Sequence, residues 1–157
     1  MLEGCDMIVR LYDLPEVPVI EGIKIKRAFI GNKTAILQFI RETFSEGWAC
    51  EAERSMLQDV SKVFIAEEKG KVVGFACFDS TAKGFFGPIG VAPEMRGRRV
   101  GEALLLSTLK AMLDYGYGYG IIGWVKDAEM FYRKTVDAEF IRNGEPEKNV
   151  YRNMLGL

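Results

Sequence analysis

Apolar positions along the chain change their period several times, and each change marks an element. Met7, Ile8, Val9 and Leu11 make a short apolar run suited to a first strand. After Gly31, Ile36, Ile40 and Phe44 recur at a helical spacing, and Asn32 stands where a helix cap belongs. A second helix is predicted between positions 45 and 60, with Trp48, Ala52 and Met56 on one face. The period then shortens. Val63-Phe64-Ile65-Ala66 and Val72-Val73-Gly74-Phe75-Ala76-Cys77-Phe78 flank Glu67-Glu68-Lys69-Gly70-Lys71, a hairpin signal. Residues 85–91 are a third apolar run, interrupted by Gly87, Pro88 and Gly90; a proline removes a ladder donor and normally marks an edge.

Residues 100–115 carry the clearest helix, with Val100, Leu104 and Met112 on one stripe, Leu105, Leu109 and Leu113 beside it, and Gly116 placed to end it. Residues 120–125 then read as a buried strand and 128–134 as a short helix. Strands are expected at 140–142 and, closing the chain, at 151–155. No repeat or long linker divides this order. It predicts one domain over residues 1–157, an α/β or α+β fold on a mixed sheet.

Composition narrows the chemistry. A chain of 157 residues can bury about two-thirds of its unfolded surface, enough for a core without metal or disulfide staples. With 21 Lys and Arg against 22 Asp and Glu, the net charge is −1, so no bulk positive field drives binding to nucleic acid or membrane. Histidine is absent. That excludes Ser-His-Asp and Cys-His catalysis and His-ligated metal sites; acid–base chemistry must run on carboxylates, Tyr, Lys, Cys, water or the substrate. No metal site is expected. Cys5, Cys50 and Cys77 are odd in number and scattered, which fits reduced thiols in a cytoplasmic protein. The apolar runs are shorter than the ~18 residues a membrane span needs.

Gly118-Tyr119-Gly120-Ile121-Ile122-Gly123 spells the dinucleotide fingerprint. The fingerprint works between a strand and the start of a helix, and here it leads from a helix into a strand, so it is set aside. The segment from Ile89 to Leu104 is more informative. A strand ends at Val91, Pro93 opens a turn, and Arg96-Gly97-Arg98-Arg99 runs into the long helix with no Ser, Thr, Asp or Asn to cap it. The first N–H groups of that helix are open donors at the positive end of its dipole, and Gly97 and Gly101 let a ligand approach the backbone. Those ingredients suit a phosphate or pyrophosphate; the same residues also describe a solvated basic turn.

Val91-x-Pro93-x-x-Arg96-Gly97-x-x-Val100-Gly101-x-Ala103-Leu104 resembles motif A of the GNAT acetyltransferase superfamily, with Arg96 and Gly101 at the ends of its Q/R-x-x-G-x-G/A core and Arg99 where the middle glycine is usual. Ala128-Glu129-Met130-Phe131-Tyr132-Arg133-Lys134 is similar to the family's A-x-x-x-Y-x-K segment. The resemblance implies a mostly antiparallel sheet of six or seven strands flanked by about four helices. It also implies a splay between the fourth and fifth predicted strands, 85–91 and 120–125. Gly90 is expected at the bulge where they part.

It further implies acetyl-CoA as cosubstrate. Its pyrophosphate would lie on Arg96, Gly97, Arg98, Arg99, Val100, Gly101 and Glu102, and its pantetheine arm would pair with Ile89, Gly90 and Val91. Tyr132 falls on the family's general-acid tyrosine, and a phenol pKa of ~10 is close enough to a thiol's ~8.5 for useful proton transfer. The implied reaction is acetyl transfer to a primary amine, on a small molecule or a peptide, by direct attack in a ternary complex. Relatives often form dimers, so a homodimer is within the expectation. Where many relatives carry a glutamate base, residues 85–91 have no carboxylate; Asp79, Glu42 and Glu46 are the candidates. Phe39, Phe44, Trp48 and Met56, alongside Glu42, Glu46, Glu51 and Glu53, suit a pocket for a small cationic amine. A non-catalytic acyl-CoA-binding module is the second reading. A nucleic-acid module built on the arginines is a third, with no wider basic face behind it.

Overall fold

The structure, a computed structural model describing residues 4–156, contains strands β1 (Cys5–Arg10), β2 (Lys24–Arg27), β3 (Val63–Glu68), β4 (Lys71–Phe78), β5 (Phe85–Val91), β6 (Tyr119–Val125) and β7 (Glu139–Phe140). Its helices are α1 (Lys33–Thr43), α2 (Glu46–Met56), α3 (Val100–Tyr115) and α4 (Glu129–Val136). The strands form one sheet in the order β2-β3-β4-β5-β6-β1-β7. Only β5 and β6 run parallel; the other neighbours are antiparallel. The helix α1–α2 pair covers one face through Ile36, Ile40, Ala52 and Met56 against Ile65, Phe75 and Cys77. On the other face α3 and α4 bury Leu104, Leu105, Leu109, Met112 and Val136 against Met7, Val9, Ala76 and Ile122.

Local sequence explains most of these elements. Glu68 pairs with Lys71 across a two-residue turn in which Lys69 and Gly70 both have positive φ, the geometry that matches strand twist in a tight hairpin. Ser45 caps α2 by accepting the Trp48 N–H at 3.1 Å. Gly116 ends α3 with φ 121°. Asn32 precedes α1 but makes no side-chain cap bond, contrary to expectation.

The differences lie at the edges of the sheet. Strand β2 escapes the hydrophobic pattern because its residues are Lys24, Ile25, Lys26 and Arg27; it is an edge strand, where charge discourages further pairing. The first strand lies in the interior, hydrogen-bonded to β6 on one side and β7 on the other. That placement changes the end of the chain. Residues 151–155 are not a strand: Tyr151–Leu155 is a short π-helical turn. Asn149, buried, holds it in place, donating to the Gly4 carbonyl at 2.9 Å and accepting the Tyr151 N–H at 3.1 Å. The strand expected at 140–142 is reduced to Glu139–Phe140.

A buried polar cluster fixes the turn after β4. Lys62 Nζ donates to Asp79 Oδ2 at 3.0 Å and to Gln58 Oε1 at 2.7 Å. Tyr117 donates to both Asp79 oxygens, and so does the Gly84 N–H to Oδ1. Burial and the Asp79 carboxylate push the Tyr117 phenol up to about 12, so it remains a donor. Burial opposes the Lys62 charge, yet its contacts with Tyr115 and Asp79 more than offset this and raise its pKa. Asp79 is therefore committed to the interior and is not available as a base. Replacing Lys62 with methionine leaves the Asp79 carboxylate unpaired, a loss of about 3–5 kcal/mol for a buried pair. Urea unfolding should show that loss, while Lys26→Met, on an exposed pair with Glu67, should change stability by less than about 1 kcal/mol.

Candidate active site

Strands β5 and β6 pair only where the first two residues of β5 meet the middle of β6, Phe85 with Ile121 and Phe86 with Ile122. Beyond that point they part. Each carries a one-residue bulge just past the last pair. Two steps on β4, from Ala76 to Phe78, match three steps on β5, from Phe86 to Ile89. Likewise two steps on β1, from Cys5 to Met7, match three on β6, from Ile122 to Val125. The β5 bulge contains Gly87 and the cis-bonded Pro88, so it falls at 87–88 and not at Gly90. In the β6 bulge Trp124 has φ 52°, and its N–H is held by the buried Asp6 carboxylate at 3.0 Å. Bulges bend and twist a strand and re-aim its side chains; two of them facing each other open the gap.

Gly90 stays in register opposite Phe75. A Cβ there would lie 2.5 Å from the Phe44 ring, so only glycine admits that ring onto the strand. The Ala92 N–H bonds to β4; alternation then turns the Ile89 and Val91 backbone groups toward the gap.

An open cleft of about 1750 Å³ follows the gap, larger than the ~300–1,000 Å³ of a site for one small ligand. At one end is the approach to α3. Gly97 has φ 80° and Arg99, at the N-cap, has φ 63° with no side-chain cap. Among the described residues nothing accepts from the N–H groups of residues 97–102; the first bond of this turn runs from the Ala103 N–H to the Arg99 carbonyl. Open donors in this turn and the first turn of α3 make a place an anion would suit. Of the predicted cofactor residues, Ile89, Gly90, Val91, Arg96, Gly97, Arg99, Val100, Gly101 and Glu102 line the cleft. Arg98 does not line it; its guanidinium is on Glu68 at 3.1 Å. Arg99 is neutralised by a two-pronged pair with Glu102, both contacts 2.8 Å. Arg96 has no carboxylate partner among the described residues, so the cradle's uncompensated charge is there.

Tyr132, on α4, lines the cleft. Phe86 packs edge-on against its ring at 6.3 Å, and the Phe131 ring lies tilted against it at 5.2 Å. Burial, with a smaller effect from the Tyr151 phenol, raises its pKa well above the usual tyrosine value, so the hydroxyl keeps its proton.

The other end is formed by Phe44, Trp48, Glu51, Thr81, Trp124 and Tyr151. Glu42 and Glu46 lie outside it, bonded to Gln38 and Arg41, as does Glu53, on Lys33 at 2.9 Å. Phe39 and Met56 belong to the core under α1 and α2. Thr81, Trp124 and Tyr151 are not legible as site residues in the sequence, because a turn, a bulge and the π-helical turn at 151–155 bring them there. Among the described residues no cluster of metal-ligating side chains occurs, and no helix is long and apolar enough to cross a membrane.

Comparison with known proteins agrees with this geometry. The chain superposes on a GCN5-related N-acetyltransferase from Sphaerobacter thermophilus with TM-score 0.70 and 23% identity, covering 88% of this chain and 49% of that one. A glucosamine N-acetyltransferase region of a fungal multi-domain β-N-acetylglucosaminidase gives TM-score 0.71 and 19% identity over 88% of this chain and 20% of that one. A GNAT family N-acetyltransferase from Escherichia coli, in complex with CoA, gives 0.51 and 20% over 64% and 61%. The chain thus spans half the length, or less, of the first two proteins. No curated protein matches the sequence significantly. At these identities the superpositions speak for the fold. Membership rests on a sequence-family match over residues 33–136, a stretch that holds both bulged strands, the capless turn and Tyr132: the chain belongs to the Acetyltransferase (GNAT) family.

Proposed function

We propose that this protein transfers an acetyl group from acetyl-CoA to a primary amine, by direct attack while both are bound. The observation that carries this reading is the row of open N–H donors at residues 97–102, set at the end of a gap between two parallel strands and continuous with Tyr132. A diphosphate fits such a row, since anions are favoured where helix N–H groups and dipole point together. The inward backbone groups of Ile89 and Val91 supply a ladder for the amides of a pantetheine arm. Gly97 and Gly101 leave the cradle open: a Cβ on Gly101 would come no nearer than 3.7 Å to Phe131 and Val91.

When bound, acetyl-CoA supplies an acetyl group activated as a thioester. The chain's own part is positioning and proton management. Binding at the cradle fixes the thioester beside β5. The Val91 N–H faces the gap and is placed to stabilise negative charge building on the carbonyl oxygen. Tyr132, held neutral by burial, donates its proton to the departing thiolate. The raised pKa keeps that donor available into alkaline solution.

Two measurements test the reading. In steady-state assays of CoA release with a panel of primary amines, Tyr132→Phe should lower kcat by about 10²–10⁴-fold and leave coenzyme A affinity within a few-fold of wild type. A wild-type protein that binds coenzyme A and never turns over would instead make it an acyl-CoA-binding module. Titration calorimetry should separate the arginines. Arg96→Ala should weaken coenzyme A binding about 10-fold or more, the scale of one charge-assisted hydrogen bond, while Arg98→Ala, tied to Glu68 away from the cleft, should stay within about twofold.

A further inference from the structure

The end of the cleft opposite the α3 cradle is a chamber whose walls are aromatic and whose carboxylate is Glu51, with Arg152 at its exposed side. Its two sides are built alike. On the β5 side the Phe44 ring rests on Gly90, where a Cβ would be 2.5 Å away, and Trp48 packs against Phe44 at 5.4 Å. On the β6 side the Tyr151 ring rests on Gly123, where a Cβ would be 2.6 Å away, and Trp124 packs against Tyr151 at 5.6 Å. Gly123 is the last glycine of the fingerprint set aside above. Its role here is to admit a ring.

Glu51 is held between these walls with unusual care for a half-exposed side chain. Four hydrogen bonds stitch α2 and the turn after it to the end of β4 and the segment that follows. Ser55 donates to the Phe78 carbonyl at 3.0 Å and Gln58 to the Asp79 carbonyl at 2.7 Å. Ser80 donates to the Glu51 carbonyl at 2.6 Å, and Thr81 to Glu51 Oε1 at 2.6 Å. Asp79, within that segment, is itself clamped by Lys62. The carboxylate is thus fixed by one oxygen and offers the other, Oε2, with no cation paired to it among the described residues. Burial and the charges of Glu51 and Asp6 raise the Tyr151 phenol, so that neighbour stays uncharged.

We infer that this chamber takes the acceptor as a primary alkylammonium with an aromatic or other apolar body, and that Glu51 binds the ammonium and removes its first proton. The inference rests on the acetyltransferase reading and specifies its acceptor. A cation is favoured both by the carboxylate and by ring faces that have already shed much of their water, and the apolar body replaces water on Trp48 and Tyr151. Glu51 Oε2 takes one N–H proton, which frees the nitrogen lone pair. The new C–N bond forms to the acetyl carbon as its C–S bond breaks, Tyr132 gives its proton to the sulfur, and the second proton shed by nitrogen restores the phenol through solvent. One proton in all is released.

Trp48 and Trp124 both line the cleft and are the only tryptophans in the chain, so intrinsic fluorescence reports the chamber directly. With coenzyme A bound, titration with 2-phenylethylamine should change the fluorescence and saturate. Glu51→Gln, which keeps an acceptor for Thr81, should weaken that binding about 10- to 100-fold while coenzyme A affinity and thermal unfolding stay at wild-type values. With acetyl-CoA, kcat for the amine should fall about 100-fold in Glu51→Gln and recover in part in Glu51→Asp. Equal amine binding and turnover in wild type and Glu51→Gln overturns the inference. So does a preference for phenylalanine, whose carboxylate would seek Arg152 on the exposed side of the cleft, over 2-phenylethylamine. Failure to bind coenzyme A at all would refute the acetyltransferase reading beneath it, and that result is distinguishable from the other two.

Discussion

The sheet of this protein does not close where β5 meets β6. Two parallel strands hold each other through only two residue pairs, and the backbone groups beyond are left facing a gap. Unpaired backbone polar groups are tolerated only where water or a ligand can satisfy them. Here the bulges at 87–88 and 123–124 keep the strands apart, and the cleft between them supplies the access. The capless start of α3 lies at one end of that gap and the aromatic chamber at the other, and Tyr132 lines the same cleft. The site is a place where secondary structure is deliberately unfinished.

That incompleteness is supported by rigid surroundings. The Lys62–Asp79–Tyr117 cluster is expensive to bury and is matched contact for contact, as a buried charge must be. It anchors the segment that positions Thr81, and through it Glu51. On the other side of the gap the Asp6 carboxylate fixes the positive-φ Trp124. Neither group faces the chemistry; both hold backbone that does.

The two ends of the chain are coupled through the same sheet. Because β1 is seated between β6 and β7, no slot beside β6 remains for residues after 150. The last turn folds over the cleft instead and lays Tyr151 against Gly123. An aromatic wall of the chamber is therefore a consequence of where the first strand pairs. A closing strand was expected at 151–155, because local pattern carries no information about which sheet positions are already filled.

Much was nonetheless legible in one dimension. The long buried helix, the Lys69-Gly70 hairpin, the order of the elements and the capless approach to α3 follow from short-range rules of periodicity, turn chemistry and capping. Those rules act within a few residues, so sequence alone suffices for them. They also singled out Arg96, Gly97 and Gly101, whose spacing is local, whereas Tyr132 stood out only through the resemblance of residues 128–134 to a family segment. What they could not distinguish was Arg96 from Arg98, or Glu51 from Glu42, Glu46 and Glu53: each pair or set looks alike until distant partners such as Glu68, Lys33 and Thr81 claim some and leave others. Sequence by itself determined the elements and the open helix tip, because those depend on neighbours along the chain. Tertiary structure alone decided which charges stay unpaired and which rings meet across the gap, because those depend on contacts between residues far apart in the chain.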